Sequence, residues 1–181
     1  MNRSSLMTRL FFIGIATCVI GINTSAAQNK AEATDSLRYP QEKHLANIKQ
    51  LTFGGDNAEA YWSFDSRKLV FQATRAEWNA SCDQIFIMDT KHPEKPSSIP
   101  DLVSTGKGRT TCAYFMPGNK SVLYASTHIG NESCPHVPPR RDDGKYVWPI
   151  YPDYDIFVAN LKGTIKKQLT NEPGYDAEAT V

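Results

Sequence analysis

The stretch Ser63-Phe64-Asp65-Ser66-Arg67-Lys68-Leu69-Val70-Phe71 returns 53 residues later as Met116-Pro117-Gly118-Asn119-Lys120-Ser121-Val122-Leu123-Tyr124. Each phrase is a turn, then a basic residue, then an apolar run closed by an aromatic side chain. Asp, Ser, Asn and Gly suit turns because they tolerate left-handed backbone or hydrogen-bond their own main chain. A strand-and-turn phrase that recurs at fixed spacing is the signature of a repeat architecture.

Two further matches extend the repeat. Gln84-Ile85-Phe86-Ile87-Met88-Asp89 corresponds to Asp155-Ile156-Phe157-Val158-Ala159-Asn160, 71 residues on. Each is a short, almost continuously apolar run, which fits a strand covered on both faces. Gln50-Leu51-Thr52 corresponds to Gln168-Leu169-Thr170. A glycine-containing turn follows each, and then Asn57-Ala58-Glu59-Ala60 or Asp176-Ala177-Glu178-Ala179.

The order predicts an all-β fold with inner strands at 58–63 and 111–116 and a third beginning near Glu178. Second strands fall at 68–73 and 121–126, third strands at 84–89 and 155–160, and outer strands at 101–104 and 166–170. Ile48–Thr52 reads as a leading outer strand, of the kind that completes the last blade of a ring. Four-stranded antiparallel units in series are the blades of a β-propeller. The expectation is therefore a partial β-propeller with two complete blades and the start of a third. A two-sheet sandwich also uses short strands, but it gives no reason for the same phrases to recur in the same order.

Residues 1–27 differ from the rest. Arg3 and Arg9 precede an apolar run from Leu10 to Ile22, and Ser25 and Ala27 stand three residues and one residue before Gln28. This is the pattern of a cleaved secretory signal. The apolar run of 13 residues is short of the ~20 that span a bilayer. The domain reading is thus 1–27 signal peptide, 28–47 flexible polar leader and 48–181 incomplete propeller, with periplasmic or secreted location and no membrane segment after cleavage. Cleavage removes two arginines and no acid, leaving 18 basic against 19 acidic side chains. So balanced a charge excludes the basic field of a nucleic-acid binder.

The repeat phrases resemble those of TolB-like periplasmic β-propellers, in which the outer strand ends in Leu-Thr and the inner strand runs into a Ser-Pro-Asp-Gly turn. The resemblance covers residues 48–181. Phe64 and Ser66 stand where that family has Pro and Gly, and the second turn, Met116-Pro117-Gly118-Asn119, lacks its Ser and Asp. The resemblance implies six blades when complete. At ~40–45 residues per blade six need roughly 240–270 residues, so Val181 falls before closure. It also implies an exported, non-enzymatic scaffold that binds a protein or a small ligand. The alternative is the N-terminal propeller of an exported serine peptidase of the prolyl oligopeptidase type, with its hydrolase domain beyond Val181.

The sequence contains no Gly-x-Ser-x-Gly elbow, zinc-binding His-Glu-x-x-His, phosphate loop or dinucleotide fingerprint. No catalytic residue, cofactor or metal is assigned. His128, Cys134 and His136 cluster, but in a proline-rich segment that reads as an ordinary loop. Residues His128 to Tyr154 form an insertion, 18 residues longer than its counterpart in the first blade. Prolines stiffen it, and Arg140, Arg141, Tyr146 and Trp148 are side chains of the kind that anchor partners. Two readings stand: a rigid contact loop, or a lid whose Trp148 and tyrosines pack back on the blade.

Strand direction places the start of each inner strand, the end of each second strand and the start of each third strand at one rim. Glu59, Arg109 and Glu178 approach that rim near the central axis and form the candidate binding face. The same residues also suit a network that satisfies itself around the channel. Cys82, Cys112 and Cys134 map there as well, and the expectation is a disulfide from Cys112 to Cys82 or Cys134, with Cys82 favoured.

Overall fold

The computed structural model describes residues 37–91 and 99–181. The expected signal, the first part of the leader and residues 92–98 lie outside them. The chain divides into two units, Met1–Lys49 and Gln50–Val181. In the first, residues 37–49 form turns without strand or helix. The guanidinium of Arg38 donates to the carbonyl of Glu42 at 2.8 Å and closes one such turn.

The second unit is all β. Strands β1 (Asp56–Trp62), β2 (Lys68–Arg75), β3 (Ala80–Asp89) and β4 (Asp101–Leu102) form one sheet, in that order and antiparallel throughout. Strands β5 (Thr110–Phe115), β6 (Ser121–Ser126), β7 (Asp153–Asn160) and β8 (Ile165–Gln168) repeat the arrangement. The eight strands expected for the two complete units are present, and β3 begins four residues earlier than expected, which brings Cys82 into it. Ile48–Thr52 is not a strand. No inner strand starts at Glu178; instead β9 (Gly174–Tyr175) pairs in parallel with the start of β7. The described residues form two sheets and no closed ring.

The hairpin turns obey the chemistry of their residues. Ser63 Oγ donates to Asp65 Oδ1 at 2.7 Å and accepts the Lys68 N–H at 2.9 Å. Ser66 takes the left-handed conformation with φ 55°. In the second hairpin Gly118 and Asn119 do so together, at φ 85° and 56°. The substituted turn residues therefore leave both hairpins intact.

The sheets pack face to face. Val70, Ile85, Ile87 and Val103 of the first meet Ala113, Phe115, Val122, Tyr124, Phe157 and Ala159 of the second in one buried cluster. Full burial of such side chains stabilises by about 1.5–3 kcal/mol each. The opposite side of the first sheet carries a smaller cluster of Phe71, Ala73, Ala80 and Phe86, with Trp78 and Met88 against it. Trp78 comes from a single 3-10 turn, Ala76–Trp78, between β2 and β3. The third strands accordingly differ. Residues 84–87 of β3 are buried on both faces, whereas Ile156 and Val158 of β7 are only half-buried.

Both inner strands carry a bulge at the same place. Register slips between Ala58 and Tyr61 in β1 and between Thr111 and Tyr114 in β5. Glu59 and Cys112, 53 residues apart, hold left-handed backbone at φ 50° and 45°. Glu178, their counterpart in the third repeat phrase, has φ 59° although no strand surrounds it. The same repeat position thus takes left-handed backbone three times, within a bulge in β1 and β5, and such bulges re-aim the side chains beside them.

Candidate functional site

The bulge in β5 is held from the neighbouring sheet. Gln72 in β2 is almost fully buried, and its Oε1 accepts both the Cys112 N–H and the Thr111 hydroxyl, each at 3.1 Å. Burial pushes the Cys112 thiol up; the Thr111 hydroxyl at 3.2 Å opposes this, and the carboxylates of Glu59 and Glu178 add to it. Glu59, Cys112 and Glu178 therefore share one electrostatic neighbourhood at the inner-strand end. Glu59 is exposed and accepts the Tyr61 hydroxyl proton at 2.6 Å, the largest cause of the raised Tyr61 pKa. Tyr61 in turn lies against Tyr114, ring centroids 4.0 Å apart.

Arg109 enters beside this group. Its Nε lies 3.2 Å from Asp83 Oδ2, with both side chains mostly buried. The angle is outside hydrogen-bonding range, so the Nε–H lacks a directed acceptor among the described residues and charge carries the pair. Asp83 Oδ1 accepts the Thr74 hydroxyl at 2.9 Å, which orients the carboxylate. Arg109 Cζ is 5.8 Å from the Trp148 ring, within cation–π range. Trp148 Nε1 donates to the Tyr175 hydroxyl at 2.9 Å, and Tyr175 packs edge-on against Tyr154 at 5.4 Å. Tyr154 is fully buried, its hydroxyl has no partner among the described residues, and burial raises its pKa strongly.

The insertion between β6 and β7 thus divides in two. Trp148 and Tyr151 fold back on Tyr175 and Tyr154 at the start of β7, the lid reading. Arg140, Arg141 and Tyr146 face solvent around an open groove of about 460 Å³, walled by Val137, Pro138, Pro139 and Val147, which is the contact-loop reading. Asp143 takes up Arg141 at 3.0 and 3.1 Å. The Tyr151 hydroxyl donates to the His136 carbonyl at 2.8 Å and ties the two ends of the groove segment. The structure therefore brings Glu59 and Glu178 to one neighbourhood and Arg109 to Trp148, and places Arg140, Arg141 and Tyr146 on the outer loop.

The disulfide joins Cys82 to Cys134, with Cα atoms 5.9 Å apart, and Cys112 is free. This corrects the expected pairing. Cys112 sits in the inner-strand bulge among the glutamates, whereas the early start of β3 brings Cys82 to the edge where the insertion passes. The bond pins the insertion of the second sheet to the first sheet. It also removes Cys134 from any ligand set with His128 and His136. His128 turns elsewhere: a ring nitrogen is 2.8 Å from Ser126 Oγ and the ring lies 4.5 Å from Phe157. Ser126 is fully buried, so its hydroxyl is out of reach of a substrate.

Sequence reasoning missed Gln72, Asp83 and Tyr175. Gln72 and Asp83 are polar residues inside strands with no motif around them, and Tyr175 falls within the third repeat phrase, where nothing in the sequence marks it as a partner of Trp148. No family model and no curated protein matches the chain. Among the described residues no helix is long and apolar enough to cross a membrane.

Proposed function

We propose that residues 48–181 are consecutive blades of a TolB-like β-propeller, exported from the cell, which binds a protein or small ligand without catalysis. The observation that carries this reading is the repeated geometry: two sheets that share one antiparallel four-strand order, in chain order, packed face to face and bent by the same left-handed bulge. A sandwich accounts for two packed sheets but not for equivalent bulges at Glu59 and Cys112. The binding end is the one where the bulges, Arg109 and the insertion converge. Glu59 and Glu178 offer negative charge near the axis, and the insertion offers Arg140, Tyr146 and an apolar wall outside it.

The test is photo-crosslinking in the exported compartment, from a benzophenone amino acid placed at Tyr146 or at Glu178. A defined adduct from these positions, lost in Arg140→Glu or Glu59→Lys and absent when the probe replaces Lys166 on β8, supports the reading. Adducts equal at all three positions would sink it.

A further inference from the structure

The insertion between β6 and β7 forms a loop with a tied neck and a turned tip. The Tyr151 hydroxyl donates to the His136 carbonyl at 2.8 Å and closes the neck. Cys134 is bonded to Cys82 just before it, and Trp148 Nε1 donates to the Tyr175 hydroxyl at 2.9 Å just inside it. At the tip the Gly144 N–H donates to the Arg141 carbonyl at 3.0 Å, and Gly144 takes φ 71°, which suits a glycine. Pro138, Pro139 and Pro149 fix φ between neck and tip. The groove of about 460 Å³ that this loop lines is therefore preformed, and a ligand entering it loses less to ordering than it would on a slack segment.

Two kinds of side chain line it. Val137, Val147 and Tyr146 are 55, 58 and 80 % exposed, so the apolar wall is left open by the described residues. Arg140, Arg141 and Lys145 line the same groove, and no acidic residue does. The two acids of the loop, Asp142 and Asp143, lie with Arg141 on a separate shallow hollow at the tip. Asp143 takes up Arg141 at 3.0 Å and stands 3.9 Å from Lys145, whereas Arg140 has no acidic partner among the described residues. The groove is thus apolar and positive at once, and its charge is only partly answered from within the loop.

Charge complementarity selects the occupant. A nucleic-acid backbone would answer the cations and leave the apolar wall unused. An anionic membrane would meet Asp142 and Asp143 on the exposed tip. A protein segment with acidic side chains on either side of an apolar one answers both the wall and the charge. We infer that the groove binds such a segment of another protein, its apolar side chain against Val137 and Val147 and its carboxylates on Arg140 and Lys145. The inference rests on the reading of the insertion as a contact loop and supplies the chemistry of its partner.

Fluorescence anisotropy on the exported chain tests this, the probe being a short rhodamine-labelled peptide of glutamates around one central leucine. Saturable binding is expected, and it should weaken as salt rises. Replacing the leucine by glycine should weaken it about tenfold, and a peptide of lysines around leucine should not bind. Arg140→Glu combined with Lys145→Glu should reverse that preference, which misfolding does not do. Lys166→Glu, exposed on β8, should change nothing. Absence of saturable binding overturns the proposal, as does equal affinity for the three peptides or a charge-reversed variant that still prefers the glutamates. So does binding to phosphatidylglycerol vesicles in preference to the peptide. A crosslinked adduct from Tyr146 without preference for the acidic peptide overturns this proposal alone; loss of both adduct and peptide binding overturns the contact-loop reading with it.

Discussion

Gln72 and Cys112, on different sheets, are joined by a 3.1 Å hydrogen bond from the Cys112 backbone N–H to the Gln72 side-chain carbonyl. A bulge frees a main-chain donor from its own ladder, and here the neighbouring sheet supplies the acceptor. The bond therefore couples the local geometry of β5 to the packing of one sheet on the other. Gln72→Leu should destabilise by about 1–3 kcal/mol, the usual cost of a buried polar group left unpaired. Urea unfolding measures it, and a change below experimental error would show that the bulge holds itself.

Cys82 and Cys134 enclose a loop with sequence separation 52, for which chain entropy gives about 4 kcal/mol of stabilisation. The double variant Cys82→Ser/Cys134→Ser should lose stability on that scale. Non-reducing peptide mapping should find these two linked and Cys112 unmodified. Because its pKa is raised, Cys112 in the folded protein should react with iodoacetamide more slowly near neutral pH than an exposed cysteine does. Recovery of a Cys112 disulfide from exported protein would contradict the structure.

Asp83 and Arg109 form a mostly buried pair. Removing one partner strands the other charge, which costs about 3–5 kcal/mol in buried settings. Asp83→Ala should approach that loss, whereas Asp83→Leu combined with Arg109→Met should cost distinctly less. Equal losses for the single and double variants would mean that packing, not charge, dominates at this position.

Burial holds the His128 imidazole below its ordinary pKa of 6.5; Lys107 adds to the depression, while Asp155 and Glu132 oppose it. Between the folded pKa and 6.5 the unfolded chain binds more protons than the folded one, so stability rises with pH there. The contribution is complete above about pH 6.5 and is lost as pH falls from that value through the folded pKa. Unfolding midpoints measured from pH 7.5 downward should decline across this window, and His128→Gln should flatten the decline. An unchanged slope in that variant would assign the effect to other groups.

The reading of residues 1–27 as a cleaved secretory signal predicts export. Expressed in a bacterial host, the chain should be recovered outside the cytoplasm with its N-terminus near Gln28. N-terminal sequencing that returns Met1 from exported material would refute cleavage.

The sequence by itself determined the strands, their order and the hairpins, because these depend on local terms. Turn residues at Ser63–Arg67 and Met116–Lys120 set the reversals, and apolar runs of strand length set what lies between. The repetition of these phrases also fixed which residues are equivalent, including Glu59 and Glu178. Tertiary structure alone decided the rest. Ile48–Thr52 has the repeat phrase of an outer strand, yet it pairs with none of the described strands, because a phrase shared with an outer strand does not supply the neighbour that a strand pairs with. Cys112 was given a disulfide it does not make because chain position gives no lateral distance; the bulge sets it beside the glutamates while Cys82 meets the insertion. Gln72 and Asp83 carry no motif, since their partners lie dozens of residues away in sequence and become neighbours only when one sheet packs on the other.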